Sequence, residues 1–212
     1  MLSVVIPALN AAATLADCLA GVAEADEIVV VDGGSTDDTA RIAEARGARL
    51  VRSERGRGVQ LAAGADAARG DWLLFLHADT GLGPAWRAEA DAHLAAHPAE
   101  AACFRFQLAD AAWQARLVEL GVRLRRFPYG DQGLLVSREV YARVGGYRPI
   151  PLMEDVDLVR RIGRVRVLSE FAWTSATRWQ RDGWARRSAR NLGIRLLYGL
   201  GASPERLARL YG

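Results

Sequence analysis

The first 76 residues alternate short apolar runs with helical patterns, and this alternation limits the possible folds more than any other feature. The run Ile28–Val31 is apolar at every position, as is Trp72–Leu76. Strands that are apolar on both faces are typical of a parallel sheet covered by helices on both sides. We therefore predict an α/β fold with a Rossmann-like, mostly parallel central sheet. The predicted strands of this half are Ser3–Ile6, Glu27–Val31, Ala48–Arg52 and Asp71–Leu76, with helices over Thr14–Ala25, Thr36–Arg46 and Val59–Ala68.

After Thr80 the alternation becomes less regular, and the second half is predicted to extend the same sheet as a mixed sheet. A chain of 212 residues, half of them hydrophobic, suits one compact domain. The elements predicted here are helices over Pro84–Ala96, Ala111–Arg125 and Glu154–Arg161, strands over Ala101–Gln107 and Gln132–Ser137, and two helices between Trp184 and Leu210.

Composition excludes several classes of protein. No apolar run approaches the roughly 20 residues that span a bilayer, and the N-terminus lacks the basic region of a secretory signal. A cytoplasmic location is the expectation. Cys18 and Cys103 are far apart and lack CxxC spacing, so we expect two buried thiols and neither a disulfide nor a thiolate metal site.

Polar residues follow the predicted strands, at the sheet edge where α/β proteins bind ligands. Asp32 precedes Gly33-Gly34 and could accept hydrogen bonds from a nucleoside, or cap its own turn. Asp79 could ligate a divalent cation, or cap a turn beside an interior His77. Ser35 and Asp38 resemble a capping box at a helix start.

Three later segments offer further candidates. Glu154-Asp155-Val156-Asp157 places carboxylates at a helix start, where the helix dipole favours them and where one could act as a general base. The tetrapeptide 130–133 (Gly-Asp-Gln-Gly) is a turn or a binding loop. Arg55-Gly56-Arg57-Gly58 could offer guanidinium groups to phosphate, although it lacks the spacing of a P-loop.

In their joint order these segments resemble the family-two glycosyltransferases of the GT-A fold. The resemblance covers roughly residues 2–184. It is carried by Val4-Val5-Ile6-Pro7-Ala8-Leu9-Asn10, the segment Glu27–Asp37, Phe75-Leu76-His77-Ala78-Asp79, residues 130–133, Gly145-Gly146-Tyr147, Glu154–Leu158 and Arg178-Trp179.

The resemblance implies a single GT-A-like domain that transfers a sugar, with inversion, from a nucleoside-diphosphate sugar, UDP-linked by expectation. Residues 1–80 would bind the donor, 81–183 would bind the acceptor and carry catalysis, and 184–212 would form a C-terminal helical segment. Asp155 would be the general base, with Glu154 shaping the acceptor pocket. The implied donor residues are Pro7, Asn10, Asp32, Arg57, His77 and Asp79, and the implied acceptor residues are Gly130, Asp131, Gln132, Glu154, Arg178 and Trp179.

The sequence also departs from the family pattern. His77 stands where many relatives have aspartate, and no histidine follows His97 to serve as a late metal ligand. Asp79 is then the one expected protein ligand, so Mn²⁺ or Mg²⁺ should bind mostly together with the donor. The expected partners are a nucleotide-sugar and a small-molecule or lipid-linked acceptor, with no nucleic acid, and the sequence favours no particular oligomeric state.

Other classes of protein fit the sequence less well or stay open. A sugar-phosphate nucleotidyltransferase would use a glycine-rich first loop and a lysine, but residues 7–10 are Pro-Ala-Leu-Asn and the chain contains no lysine. A dinucleotide-dependent oxidoreductase would carry GxGxxG, but residues 7–14 contain no glycine. A catalytically silent protein that binds nucleotide-sugars stays open because of the replacement at position 77.

The C-terminal segment is rich in arginine, with eight arginines from Arg178 to Arg209 against Asp182 and Glu205. Leu192, Leu196 and Leu200 recur at helical spacing. This stripe could lie on an anionic membrane. The favoured interpretation is that it docks the terminal helix onto the domain.

Overall fold

The computed structural model describes residues 1–110, 112–125 and 130–211, and for 123–125 and 178 it describes the backbone alone. Its centre is an eight-stranded sheet with the order β3-β2-β1-β4-β7-β6-β8-β5. The strands are β1 (Leu2–Ala8), β2 (Glu27–Asp32), β3 (Arg49–Arg52), β4 (Trp72–Phe75), β5 (Thr80–Leu82), β6 (Ala101–Leu108), β7 (Leu134–Ser137) and β8 (Val165–Thr174).

The α/β prediction is confirmed, and the sheet is parallel in its first half and mixed in its second. β1 pairs in parallel with β2 and β4, and β2 pairs in parallel with β3. β7 then runs antiparallel to both β4 and β6. Strand β8 is parallel to β6 and antiparallel to the short β5.

Helices cover both faces of this sheet. They are α1 (Leu15–Gly21), α2 (Thr39–Ala45), α3 (Arg57–Ala67), α4 (Trp86–Ala96), α5 (Trp113–Arg125), α6 (Arg138–Arg143), α7 (Glu154–Ile162), α8 (Thr177–Asp182), α9 (Trp184–Gly199) and α10 (Pro204–Tyr211), with a 3₁₀ turn over Gly130–Gln132.

The two hydrophobic cores explain why the central strands are apolar throughout. On one face Val4 and Val30 pack with the side chains of α1, α2 and α4. On the other face the adjacent residues Val5 and Val29 pack with those of α3, α6 and α7. Because successive strand residues point to opposite faces, a sheet covered on both sides needs an apolar residue at every position.

The structure corrects several element predictions. Strands β5 and β8 and helices α6 and α8 were not predicted, and the predicted strand Gln132–Ser137 divides into the 3₁₀ turn and β7. Helix α2 begins at Thr39 instead of Thr36, and the proposed capping box is wrong. Asp38 makes no side-chain cap, while Ser35 N–H donates to Asp32 Oδ1 (3.0 Å), so residues 35–38 form a loop.

The C-terminal helices pack against α7, but the predicted leucine stripe does not make the contact. Ile194 of α9 and Leu207 of α10 are buried with Met153 and Val156 at the start of α7. Leu192, Leu196 and Leu200 are exposed instead. Ile194, two residues from Leu192, projects from the opposite side of the helix and takes the buried position.

No helix in the described part of the chain is both long enough and apolar enough to cross a bilayer.

Candidate active site

The ends of β1 and β2 lie side by side and form the first part of the site. Ala8 is paired with Asp32, so the two following loops leave the sheet at the same edge. The buried amide of Gln60 donates to both Ala8 O and Val31 O, at 2.8 Å each, and ties these ends to α3. Gln60 was not predicted as a site residue, because its neighbours in the sequence show only a helical pattern.

Asn10 and Asp32 shape the loops beyond these strands. Asn10 adopts a left-handed backbone conformation (φ 50°). Its side-chain oxygen accepts from Thr36 N–H (2.9 Å), and its own N–H donates to Ser35 Oγ (2.9 Å). Asp32 is buried and one of its oxygens accepts from Ser35 N–H. Asn10 therefore holds the loop 32–37 against the loop that follows β1, and Asp32 closes a turn within the loop 32–37.

Pro7 lies within β1, opposite Val31. Proline has no N–H to give to a sheet, so a central strand normally excludes it. Here the pairing of β1 with β4 ends at Val5 and Phe75, with one further bond from Leu76 N–H to Val5 O. Pro7 thus lies beyond the last residue of β1 that pairs with β4, so the missing N–H breaks no pairing with β4. The two strands separate at this edge of the sheet.

The turn after β4 contacts the 3₁₀ turn before β7. His77 Nδ1 lies 2.8 Å from Asp131 Oδ1, and the Gly130 N–H donates to Asp155 Oδ2 at 2.8 Å. A Cβ built on Gly130 would lie 2.6 Å from His77 Nε2 and 3.4 Å from Asp155 Oδ2. His77, the 130–132 turn and Asp155 therefore form one packed unit.

Arg57 joins this unit from the start of α3. Its Nη1 donates to Glu154 Oε1 at 3.3 Å. Burial disfavours the charged guanidinium, but four carboxylates outweigh that effect and raise the pKa of Arg57 above its ordinary value. These are the carboxylates of Glu154, Asp155, Asp131 and Asp79, in falling order of effect. With a side chain 42% exposed, Arg57 also faces solvent at the mouth of the site.

Glu154 and Asp155 are neighbours in sequence but lie in different environments. The Glu154 side chain is only 2% exposed. Burial, and to a lesser extent the charge of Asp155, raises the pKa of Glu154, although Arg57 opposes the shift. Asp155 is half-buried and accepts from the N–H groups of Gly130 and Val156. Two N–H groups orient the Asp155 carboxylate, which is more exposed than that of Glu154, so Asp155 is the better placed of the two to reach a substrate as a base.

The third carboxylate of the α7 start has a structural role. Asp157 is buried and pairs with Arg148 (3.2 Å) and Arg161 (2.6 Å). Arg161 also donates to Val144 O. The Asp157–Arg161 pair thereby fixes the turn around Gly145 and Gly146 against α7.

Asp79 lies where β5 begins, and its backbone oxygen accepts from Ser175 N–H at the end of β8 (3.3 Å). The charge of Asp79 contributes to the raised pKa of Arg57. It also acts on the buried Cys18, where burial and, to a lesser extent, Asp79 raise the pKa of the thiol to about 12. Across the described residues, no group of three His, Cys, Asp or Glu side chains is placed to hold a metal. Asp79 alone would not complete a cation site, and the expectation that the metal binds mostly together with the donor stays a prediction.

The predicted acceptor residues do not all converge. Gly130, Asp131 and Glu154 belong to the unit around Asp155. Gln132 is buried, and its amide donates to Phe104 O at 3.0 Å, so this side chain anchors the turn in the core.

The Arg178-Trp179 pair lies at the start of α8. Trp179 stacks on Trp184 with ring centroids 5.8 Å apart, and Arg187 lies over its ring. These described contacts are with α9 and not with the Asp155 unit. The Arg178 side chain lies outside the described part of the structure.

Comparison with known proteins agrees with this geometry. The sequence model of the family described as Glycosyl transferase family 2 matches residues 3–150. The chain therefore belongs to glycosyl transferase family 2. This segment contains β1 to β4, the His77–Asp79 turn, the 130–133 loop and Gly145-Gly146-Tyr147, whereas Glu154–Leu158 and Arg178-Trp179, which also carried the resemblance, lie beyond it.

Two curated mycobacterial proteins are similar over shorter stretches. A PGL/p-HBAD biosynthesis glycosyltransferase of Mycobacterium tuberculosis is 45% identical over 93 residues, which are 39% of this chain and 36% of that protein. A glucosyl-3-phosphoglycerate synthase of M. tuberculosis is 37% identical over 92 residues, which are 37% of this chain and 28% of that protein. The match thus spans about a third of the first relative's length and little more than a quarter of the second's.

Solved structures confirm the GT-A-type fold. S. aureus TarS 1–349, in complex with UDP-GlcNAc, has a TM-score of 0.64 at 18% identity, over 82% of this chain and 58% of that one. Glucosyl-3-phosphoglycerate synthase of M. tuberculosis, in complex with Mg²⁺ and UDP, has a TM-score of 0.60 at 22% identity, over 82% of this chain and 69% of that one.

Proposed function

We propose that this chain is an inverting glycosyltransferase that moves a sugar from a UDP-sugar to a small-molecule or lipid-linked acceptor. The observation that carries the proposal is the unit around Asp155. It combines a half-buried carboxylate with a basic side chain, Arg57, and with Asp79, the candidate metal ligand, at the open edge of the sheet. A single in-line displacement needs a base on one side of the reacting carbon and positive charge on the other.

Asp155 takes the role of general base. Its Oδ2 is held by the Gly130 N–H, which fixes the direction of the carboxylate toward an acceptor hydroxyl. As the hydroxyl oxygen bonds to the anomeric carbon, its proton passes to Asp155 and the bond from that carbon to the diphosphate breaks. Arg57 is the candidate for stabilising the charge that develops on the departing diphosphate.

The donor would occupy residues 1–80, with acceptor and catalytic residues in 81–183. Asp32 and Asn10 shape the loop where a nucleoside would bind, and Pro7 lies where the sheet opens beneath it. Support for a uridine donor comes from the two solved relatives with bound UDP or UDP-GlcNAc.

A divalent cation, Mn²⁺ or Mg²⁺, is part of the proposal. When bound, it would neutralise charge on the diphosphate. Four carboxylates surround Arg57, so a diphosphate entering this site meets negative charge that a cation would offset. With Asp79 as the main protein ligand, we expect weak binding of Mn²⁺ to the protein alone and clear binding with UDP. Calorimetry that finds tight Mn²⁺ binding without nucleotide would contradict this.

The experiment measures UDP release from a panel of UDP-sugars by the wild type and Asp155→Asn. General-base catalysis contributes about 10²–10⁴-fold, so the variant should lose activity on that scale and still bind UDP. Asp91→Asn is the matched control, because Asp91 is exposed on α4 and pairs with Arg87 away from the site. Equal release by wild type and Asp155→Asn would overturn the assignment of the base.

A catalytically silent protein that binds nucleotide-sugars is the second candidate, and the replacement of a carboxylate by His77 favours it. The same panel separates the two proposals. UDP binding by calorimetry without release from any UDP-sugar would support the silent protein, whereas Asp155-dependent release would exclude it.

A further inference from the structure

Helix α9 exposes a continuous apolar face. Leu192, Leu196, Leu197 and Leu200 are 40%, 59%, 41% and 85% exposed. Single exposed leucines are common, but four on just over two turns of one helix form a patch. Because 192, 196 and 200 are four residues apart, their side chains lie on one side of the helix.

The opposite face of α9 is fixed to the rest of the molecule. Ile194 is buried against Met153 and Val156, which flank Glu154 and Asp155. The guanidinium of Arg160 lies 4.8 Å from the centre of the Tyr198 ring, a second contact between α7 and α9. The exposed leucines are therefore held on the outside of a helix that packs directly on the start of α7.

The charge around this face is positive. Helix α9 contains four arginines and no acidic residue, and α10 adds Arg206 and Arg209 against Glu205. Asp182 pairs with Arg187 and Arg190 at the start of α9. Arg187 is buried against Trp179, but Arg186 and Arg190 flank the leucines by helical spacing, and exposed leucines flanked by arginines are typical of helices that lie in the plane of a membrane interface.

We propose that the Leu192–Leu196–Leu197–Leu200 face of α9 lies on the surface of an anionic lipid bilayer. The leucines would enter the boundary between headgroups and acyl chains, and the arginines would contact anionic headgroups. Since α9 packs on α7, this placement brings Asp155 close to a bilayer surface, where lipid-linked acceptors are found. The surface proposal does not depend on sugar transfer.

A second copy of the chain fits this face less well. A two-fold contact through the leucines would bring the arginines of one α9 toward those of the other. Like charges that face each other across an interface are unfavourable, and α9 has no carboxylate to offset them. An anionic surface complements both the leucines and the arginines.

The test is flotation of the full chain, without substrates, on vesicles of phosphatidylcholine containing about one third phosphatidylglycerol. The wild type should float with these vesicles, and much less with pure phosphatidylcholine. Leu196→Ser combined with Leu200→Ser should weaken binding about a hundredfold, because each buried leucine contributes roughly one order of magnitude. The thermal midpoint should not fall, because both side chains are exposed.

The matched control is Leu117→Ser combined with Leu120→Ser, an exposed pair on α5 (58% and 50%). It should leave flotation unchanged. Failure of the wild type to float on anionic vesicles would overturn the proposal, as would equal binding by the Leu196/Leu200 variant. Light scattering should find no self-association through this face, and a dimer that dissociates in the same variant would assign the face to a second copy.

Discussion

Gly130→Ala tests whether the His77 turn positions Asp155, the proposed general base. Gly130 is not among the residues with positive φ, so alanine fits its backbone. The new methyl would lie 2.6 Å from His77 Nε2 and 2.9 Å from Cε1, whereas ordinary contacts begin at 3.4 Å. Either the imidazole or the 130–132 turn must move by roughly 1 Å to relieve this overlap.

Both movements break a contact that holds the site. If the imidazole moves, its 2.8 Å contact with Asp131 lengthens beyond hydrogen-bond range, which costs about 1 kcal/mol because Asp131 is half exposed. If the turn moves, the Gly130 N–H leaves Asp155 Oδ2. A displacement of about 1 Å in a reacting group costs on the order of 10²-fold in rate. We expect a hundredfold loss in kcat/KM and UDP affinity within a factor of about two of wild type.

The assay combines UDP-release kinetics with thermal unfolding in a double-mutant cycle. In a His77→Ala background the clashing atoms are gone, so Gly130→Ala should add little to either loss. Gly121→Ala is the control, because no neighbouring atom of the described residues lies within 4 Å of its added Cβ in α5, and it should stabilise the helix by about 0.5–1 kcal/mol. Wild-type activity in Gly130→Ala, or an undiminished effect in the His77→Ala background, would refute the reasoning.

Three further predictions concern buried groups. Folding raises the pKa of Glu154, mainly through burial, so the folded chain binds the carboxyl proton of Glu154 more tightly than the unfolded chain, and the free energy of unfolding falls as pH rises above about 4.5. Glu154→Gln should therefore make the thermal midpoint depend less on pH. A pH dependence parallel to that of the wild type would contradict this. Burial raises the pKa values of Cys18 and Cys103 to about 12, so iodoacetamide at pH 8 should leave both thiols intact in the native protein and alkylate both in urea, as read by mass spectrometry. Gln60→Leu removes the amide that donates to Ala8 O and Val31 O, although Ala8 O keeps its bond from the Gly33 N–H (3.0 Å), and should cost about 1–3 kcal/mol in denaturant unfolding; a smaller loss would mean that the loops do not depend on this amide.

The first half of the fold could be predicted from the sequence because its pattern is local. Runs such as Ile28–Val31 are covered on both faces, so each strand is recognisable by itself. The ends of those strands identified Asp32, His77 and Asp79 as candidates. In a parallel sheet, a residue that directly follows a strand lies at the carboxyl edge of the sheet, where α/β proteins bind ligands.

The second half was less predictable because its contacts join distant residues. Strand β8 mixes charged and apolar residues and is partly exposed, so its sequence lacks the continuous apolar run of a central strand. The His77–Asp131 and Arg57–Glu154 contacts join residues 54 and 97 positions apart. Similarly, helical spacing grouped Leu192 with Leu196 and Leu200, but the spacing could not specify which side of α9 faces the domain.

His77 is better understood together with Asp131 than as a lost metal ligand. A carboxylate at position 77 would face Asp131 at hydrogen-bond distance, beside the carboxylates that already surround Arg57. We therefore expect His77→Asp to lower stability by about 1 kcal/mol, a small value because Asp131 is half exposed.

The exchange of the two residues tests this pairing. Asp131→His in the His77→Asp background again pairs a histidine with a carboxylate across the same contact. The double variant should therefore regain most of the lost stability, as measured by thermal unfolding. Mn²⁺ affinity without nucleotide should stay weak in both variants, because the added carboxylate increases repulsion as well as the number of ligands. A stable His77→Asp protein that binds Mn²⁺ tightly by itself would show that position 77 serves the metal and that its contact with Asp131 is incidental.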